Sequence, residues 1–215
     1  MGREGEGGRV ADAEAAYTEA LAIAREIGNR RLEGINLGNL GHLHADQGRI
    51  ADAEAALTEA LAIAREIRYR RLEVHQLGNL GRLHLEQGRM AEAEAALTES
   101  LAIARELRDR GCEGIRLGLL GLLQTMMGEP DAGRAQLRQG EALLREVNDR
   151  QQLGLLLCNR AHAEHIAHDL DAANAAFDEA KQIAADLNAS PDSELGKKIA
   201  EVQAILDEDP TSSNA

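Results

Sequence analysis

An all-α stack of about ten helices, packed as antiparallel pairs, is the architecture to which this sequence points. A 40-residue block recurs: Gly-Arg-Val-Ala-Asp-Ala-Glu-Ala-Ala from Gly8 returns from Gly48 with Ile50 and from Gly88 with Met90 and Glu92, and residues 8–47 match 48–87 at 30 of 40 positions. A fixed period of this size marks like repeats that bury their apolar faces on one another. Each block carries two apolar stripes at helical spacing, and glycine ends it. The apolar fraction of 44% is nearly all Ala, Leu and Ile, with Tyr17, Tyr69 and Phe177 the only aromatics, and small side chains let helices approach closely.

Residues 1–7 are Gly- and Glu-rich and read as a flexible lead-in to a repeat array over 8–187. In the second repeat Ile50, Ala53, Leu57, Ala60, Leu61, Ala64 and Ile67 share one stripe, with Asp52, Glu54, Glu59 and Arg65 off it; this is helix B, about 49–68. Leu72, Leu77, Leu80, Gly81, Leu83 and His84 follow at helical spacing as helix A, about 70–87, closed at Gly88. By the period, B helices start near 9, 49, 89, 129 and 169, and A helices near 31, 71, 111, 151 and 191. Ala53, Ala93 and Ala173 coincide, as do Leu57, Leu97, Leu137 and Phe177. Gly48, Gly88 and Gly128 coincide too, but His168 stands next in the series, and a Cβ disfavours positive φ, so that turn is expected to differ.

The first B helix has no A helix before it in this sequence, so Val10, Ala13, Tyr17, Leu21 and Ala24 are expected to lose part of their cover. The expectation is either a longer protein of which this is the tail or association through this end, which includes a homo-oligomer. At the other end Ser190 and Pro191 suit a helix start, and Leu195, Ile199, Val202 and Leu206 form one stripe opposite Lys197, Lys198 and Glu201. That describes a capping helix over 188–207, followed by a polar, disordered tail over 208–215.

Leu37, Gly41, His44, Gly48, Ala53, Leu57 and Ala60 resemble the signature of the tetratricopeptide repeat. Leu77, Gly81, His84, Gly88, Ala93 and Leu97 repeat it, with Ser100 in place of an alanine. The family repeat spans about 34 residues and often ends in proline. Here Arg65, Arg105 and Arg145 take that place, and the extra residues are expected to lengthen both helices by nearly a turn. Repeats of this length resemble those of kinesin light chains and Pins-type adaptors, and Leu-Gly-Asn-Leu-Gly resembles bacterial arrays found behind kinase or nucleotide-switch domains. The resemblance covers residues 8 to about 187. It implies a right-handed α-solenoid whose concave wall is made by the A helices. It also implies a non-enzymatic scaffold that binds a peptide or helical segment of another protein, with bacterial signalling as one setting. A structural or self-associating module, through the groove or the first helix, is the alternative.

The ten differences between the first two repeats concentrate in helix A: Gly34/Val74, Ile35/His75, Asn36/Gln76, His42/Arg82, Ala45/Leu85 and Asp46/Glu86. The implied groove runs along Asn39, His42 and Asp46, then Asn79, Arg82 and Glu86, then Leu119, Leu122 and Met126, then Asn159, His162 and His165, from polar to apolar and back. Asn39, Asn79 and Asn159 sit whole periods apart, and a row of carboxamides offers donor and acceptor to the backbone of an extended peptide. It resembles the asparagine ladder of glycosyltransferase-linked tetratricopeptide arrays. Local bonding within the stack is the other reading of these asparagines.

Other chemistry finds little footing. A net charge of −13 and three aromatics argue against nucleic acid. No stretch approaches the roughly 20 apolar residues of a membrane span. Two cysteines, Cys112 and Cys158, and no apolar leader point to the cytoplasm. The glycines of helix A lack the strand that a phosphate-binding loop needs. They are expected instead to give close helix contact at Gly41, Gly81 and Gly121, and open groove space at Gly38, Gly78 and Gly118. His162, His165 and His168, with Glu164 and Cys158 nearby, are spaced by three rather than the four of the helical zinc motif, so neither metal nor cofactor is expected. Glu66 with Arg70, and Glu106 with Arg110, read as i,i+4 surface pairs. No nucleophile and base assemble, so no catalytic residue is expected.

Overall fold

The computed structural model describes residues 3–207, with side chains described from Val10. Among the described residues there are ten α-helices and no strand: α1 (Arg3–Glu26), α2 (Arg30–Asp46), α3 (Ile50–Glu66), α4 (Arg70–Glu86), α5 (Met90–Glu106), α6 (Arg110–Met126), α7 (Pro130–Glu146), α8 (Arg150–Ile166), α9 (Leu170–Asp186) and α10 (Glu194–Asp207). Odd numbers are the B helices and even numbers the A helices. The first helix starts at Arg3, so residues 3–7 are helical where a flexible lead-in was expected. The expected disordered tail, 208–215, lies outside the described residues, as do residues 1 and 2.

Every connection from α1 to α9 is built alike. Three residues join each pair of helices, and the middle one is left-handed: Gly28, Gly48, Gly88 and Gly128, but equally Arg68, Arg108, Asn148 and His168, whose φ is 59°. The expected exception at His168 is therefore no exception. The reason is backbone closure: the residue after each left-handed one donates back to the preceding helix, Arg49 N to His44 O at 2.9 Å and Asp169 N to Glu164 O at 2.9 Å. Two bonded carbonyls per turn hold the left-handed residue whatever its side chain. Asn29, Asp109, Asp149 and Asp169 then cap the next helix, each accepting from the backbone N–H three residues on. At α10 the cap is Ser193, whose Oγ accepts from Gly196 N at 3.1 Å, and the expected start at Ser190 and Pro191 is a turn placed before it.

Two compact units divide the chain, Met1–Ile103 and Ala104–Ala215. In unit 1, α2 packs between α1 and α3 and also meets α4. Leu21, Leu37, Leu40, Ala60 and Ile63 form a core there, lined by Tyr17 and Ile67. The crossings are as close as Gly41 and Gly81 suggest: a Cβ on Gly41 would lie 2.7 Å from Leu57 Cγ, and one on Gly81 2.6 Å from Leu97 Cγ. Ser100, the departure from the alanine pattern, is fully buried and donates to the Val74 carbonyl at 2.8 Å.

In unit 2, α6 crosses α7 at Gly121, where a Cβ would stand 2.6 Å from Leu137 Cγ and 2.8 Å from the Gly133 carbonyl. Gly114 and Gly140 likewise face each other's carbonyl oxygens. α8 lies against α6, α7, α9 and α10. The expected open space at Gly38 and Gly118 is filled. The Gln76 carboxamide lies over Gly38 and Leu156 over Gly118, because the next A helix packs its own side chains there; Gly78 is buried as well.

Arginines occupying the family's proline position knit neighbouring helix pairs. Arg25 donates to Glu33 at 3.0 Å and to Glu59 of the next repeat at 2.7 Å; Arg65 does the same to Glu73 and Glu99 at 3.1 and 2.7 Å. In unit 2, Arg105 reaches Glu113 at 2.9 Å and Arg145 reaches Glu179 at 2.7 Å. The pairing read within helices runs between repeats instead: Glu66 accepts from Arg30, and Arg110 donates to Glu146 at 2.9 Å. Glu33, Glu73 and Glu113 are buried, and a buried carboxylate is tolerable only when paired.

Gly121→Ala is expected to destabilise the protein. The overpacked crossing costs about 1–3 kcal/mol, against a gain of roughly 1 kcal/mol in helix propensity. A urea melt checks the sign, and a stabilised variant would show that the crossing has room. Burial pushes the Glu33 carboxyl up, but hydrogen bonds from Arg25 and Arg30 outweigh it and hold it below its ordinary value of 4.5. A depressed folded pKa gives stability that is present above the unfolded value and lost as pH falls through the folded one. The melting temperature should therefore drop on acidification below about pH 4.5, and Arg25→Ala should flatten that dependence.

Candidate peptide-binding face

The residues singled out from the sequence divide evenly between the two units. In unit 1 they lie at matching places on α2 and α4, which are in contact. Asn39, Asp46 and Glu86 are exposed, and His42, Asn79 and Arg82 are half-buried. Arg82 is the hinge of the group: one guanidinium nitrogen lies 2.9 Å from His42 Nδ1 and another donates to Glu86 Oε1 at 3.1 Å. Arginine can only donate, so His42 accepts through Nδ1 and keeps its ring proton on Nε2. Among the described residues no hydrogen bond occupies the Asn39 or Asn79 carboxamide, whereas Asn36 spends its own on the Leu32 carbonyl at 2.9 Å.

Not every position that varies between the first two repeats belongs to a surface. Gly34 is packed by Leu72 and Ile63, and Val74, Gln76 and Leu85 are buried. Those substitutions adjust helix packing. Ile35/His75, His42/Arg82 and Asp46/Glu86 remain as the differences a partner would meet.

In unit 2 the equivalent row on α6 and α8 is mostly withdrawn. Leu119, Leu122 and Asn159 are buried, so the apolar stretch read from the sequence is packing, and the third rung of the asparagine row is covered. Met126 is exposed. His162 and His165 are half-buried, each with an Nδ1 that is buried and unbonded. Burial, then the Lys198 charge, lowers the His162 pKa, while Glu201 opposes. Glu164 belongs to an ion pair with Arg134 at 2.6 Å rather than to the histidines, and His168 sits in the turn beyond them. Among the described residues no three His, Cys, Asp or Glu side chains gather as a metal-ligand set.

What the sequence reading missed is the inter-repeat ion lattice, although Arg25, Arg65, Arg105 and Arg145 recur at the same period as Glu33, Glu73 and Glu113. The histidines of the signature belong to it too: His84 Nε2 lies 3.2 Å from Glu54, which also takes Arg89 at 2.8 Å.

A family model of the tetratricopeptide repeat matches residues 6–66 and 74–146. The chain belongs to the tetratricopeptide repeat family. Repeats of this family generally mediate contact between proteins. This tetratricopeptide repeat protein is similar in structure to BtubC (BKLC) from P. vanneervenii, with a TM-score of 0.68 over 86% of this chain and 77% of that one. At 23% identity that likeness speaks to the fold. No curated protein matches the chain. None of the described helices is long and apolar enough to cross a membrane.

Cys158 is fully buried, and burial pushes its thiol up to about 12. It should resist thiol reagents at pH 8 in the native protein and react only after unfolding. Reaction of Cys158 in the native state would mean that the contact of α8 with α10 opens.

Proposed function

We propose that this tetratricopeptide repeat protein is a non-enzymatic scaffold whose face on α2 and α4 takes an extended or helical segment of another protein. The observation that carries the reading is the pair of carboxamides, Asn39 and Asn79, one period apart and without a hydrogen bond among the described residues. Side-chain amides at that spacing serve the backbone of a bound segment with a donor and an acceptor each. The His42, Arg82 and Glu86 chain beside them presents an imidazole N–H, a guanidinium and a carboxylate in fixed order. Asp46 and Glu86 give the rim an acidic character, in keeping with a net charge of −13 and with a basic partner segment rather than nucleic acid.

In unit 2, Met126, His162 and His165 are assigned a secondary part as apolar and polar contacts, with Leu119, Leu122 and Asn159 shaping the surface from beneath. A cytoplasmic setting in bacterial signalling belongs to the same reading, supported by the cysteine content and by the likeness of the Leu-Gly-Asn-Leu-Gly core to arrays behind kinase and nucleotide-switch domains.

A photo-crosslinking residue placed at Asn39 or Asn79 should capture a polypeptide partner in cells, while one at Thr58, exposed on the B helix α3, should not. Asn39→Ala with Asn79→Ala should lower binding of that partner about tenfold, on the scale of a hydrogen bond or two, with unchanged helicity by circular dichroism. Equal capture at Thr58, or undiminished binding by the double variant, would remove this face from the function.

A further inference from the structure

Charges at the two ends of α2 and α4 run against the helices that carry them. A helix favours acidic residues in its first turn and basic ones in its last, because its backbone dipole is positive at the start and negative at the end. Arg31 and Arg71 stand in the first turns of α2 and α4, and Asp46 and Glu86 are their last residues. All four are exposed, and each pair is one period apart. Stacking of repeats explains the neighbouring arginines but not these. Arg30 donates to Glu66 and Glu33, and Arg70 donates to Glu73 at 2.8 Å. Among the described residues no carboxylate pairs with Arg31 or Arg71. In unit 2 the equivalent places hold Gly111 and Met126 on α6, and Gln151 and Ile166 on α8. Apart from the arginines that pair between repeats, the reversal therefore belongs to the two helices of the proposed binding face.

Arg31 is also held in place at the expense of the next helix. Its Cζ lies 4.6 Å from the centre of the Tyr69 ring, and its Nη2 donates to the Tyr69 hydroxyl at 3.0 Å. Tyr69 occupies the N-cap place of α4. Asn29, Asp109 and Asp149 cap α2, α6 and α8 through their side chains, and Tyr69 makes no such bond. A capping hydrogen bond is given up, and a cation is fixed over an aromatic ring in its stead. The remaining guanidinium N–H groups of Arg31 keep the fork geometry that suits a carboxylate.

Along the helices the face has a charge order. Arg31, Ile35, Asn39, His42 and Asp46 recur at steps of three and four, and so do Arg71, His75, Asn79, Arg82 and Glu86, so each set makes one stripe. The rise from first to last is about 22 Å. That exceeds the screening length of about 8 Å at physiological salt, so a ligand meets two separate local fields. Arg82, bonded to Glu86 at 3.1 Å, moderates the acidic end, which leaves the cationic end the stronger. We propose that the polypeptide segment taken by this face carries segregated charge, with acidic residues at the Arg31 and Arg71 end and basic residues at the Asp46 and Glu86 end. This deepens the reading of α2 and α4 as the binding face and rests on it. The carboxamides hold the segment, and the terminal charges fix which way round it lies. A segment of one charge sign throughout meets like charge at one end and is selected against.

The probe is a library of random peptides displayed on phage, each about 15 residues long, enough as a helix to span that distance. Selected against the full chain, the enriched peptides are expected to place Asp or Glu in one half and Lys or Arg in the other. A synthetic copy of one such peptide, titrated calorimetrically, should bind about tenfold more weakly to a chain with Arg31→Glu and Arg71→Glu that keeps its helicity. Exchanging the peptide's acidic residues for Lys should restore binding to that chain. Arg71→Glu alone, which breaks no ion pair among the described residues, should weaken binding in the same direction. Peptides that need Asn39 and Asn79 but carry a single sign of charge, or that ignore the charge swap, would overturn the proposal and leave the face standing. Peptides that bind undiminished to the Asn39→Ala, Asn79→Ala chain, or a library that yields none, would remove the face and the proposal together.

Discussion

The structure depends on helix crossings with no space for a side chain on one partner. At Gly41, Gly81 and Gly121 the leucine of the facing B helix lies 2.6 to 2.7 Å from the place a Cβ would take, closer than side chains pack, so a larger residue there would have to push the helices apart. Each of these glycines weakens its own helix by about 1 kcal/mol relative to alanine, and the cost is offset by dispersion contacts along Leu57, Leu97 and Leu137, all almost wholly buried. In the fourth pair the same two places hold Ala161 and Phe177, both buried, which shows the position to be one of small against large. Because the crossing is fixed, the residues within about a turn and a half of it on helix A are fixed too. That is how Asn39, His42 and Asp46 come to share one face without any contact among themselves being required.

Periodicity reveals which face of a helix is buried: in α3 Ala53, Leu57, Ala60, Leu61 and Ala64 of the stripe are buried, whereas its ends Ile50 and Ile67 are half-buried and Ile63, outside it, is buried as well. It does not reveal what lies across from the exposed face. Arg65 was legible as solvated, and it is half exposed, yet its two hydrogen bonds go to residues 8 and 34 positions away. Such partners are set by the stacking offset of the repeats, which no single-helix pattern contains. The burial of Leu119, Leu122 and Asn159 escaped for a similar reason: position in the repeat assigned them to the A-helix wall, but how much of that wall stays open depends on side chains of neighbouring helices. His168 failed in the opposite direction. A side-chain rule predicted strain, and backbone hydrogen bonding at both ends of the turn overrode it.

The ion lattice also changes what the net charge means for a partner. Arg25, Arg30, Arg65, Arg105, Arg134 and Arg145 are each committed to a carboxylate of the same chain. On the face of α2 and α4, Arg82 is likewise shared between Glu86 and His42. Cations are therefore consumed in holding repeats together, while among the described residues no hydrogen bond occupies the carboxamides of Asn39 and Asn79. The surface positions at which α2 and α4 differ, Ile35/His75, His42/Arg82 and Asp46/Glu86, are not those of Arg25, Arg30 or Arg65, so they change from repeat to repeat without touching these inter-repeat pairs.

At α10 the repeat register breaks. Pro191 disfavours helical backbone in the residue before it, and the chain turns before starting the helix at Glu194 rather than near residue 190. In strict register Asp192 would have stood where Leu72 stands in the second repeat, placing a carboxylate against Gly154. A delay of about one helical turn returns the same face of the helix to the same neighbour, but with Leu195 in the contact instead. The delay brings the charges of Lys198 and Glu201 to bear on Cys158 and His162. It also leaves Ser190 in a turn, where an arginine begins each earlier A helix. A shift of a few residues thus keeps the apolar half of the repeat contact, Leu195 against Gly154, while the place of the arginine that begins each earlier A helix falls in a turn.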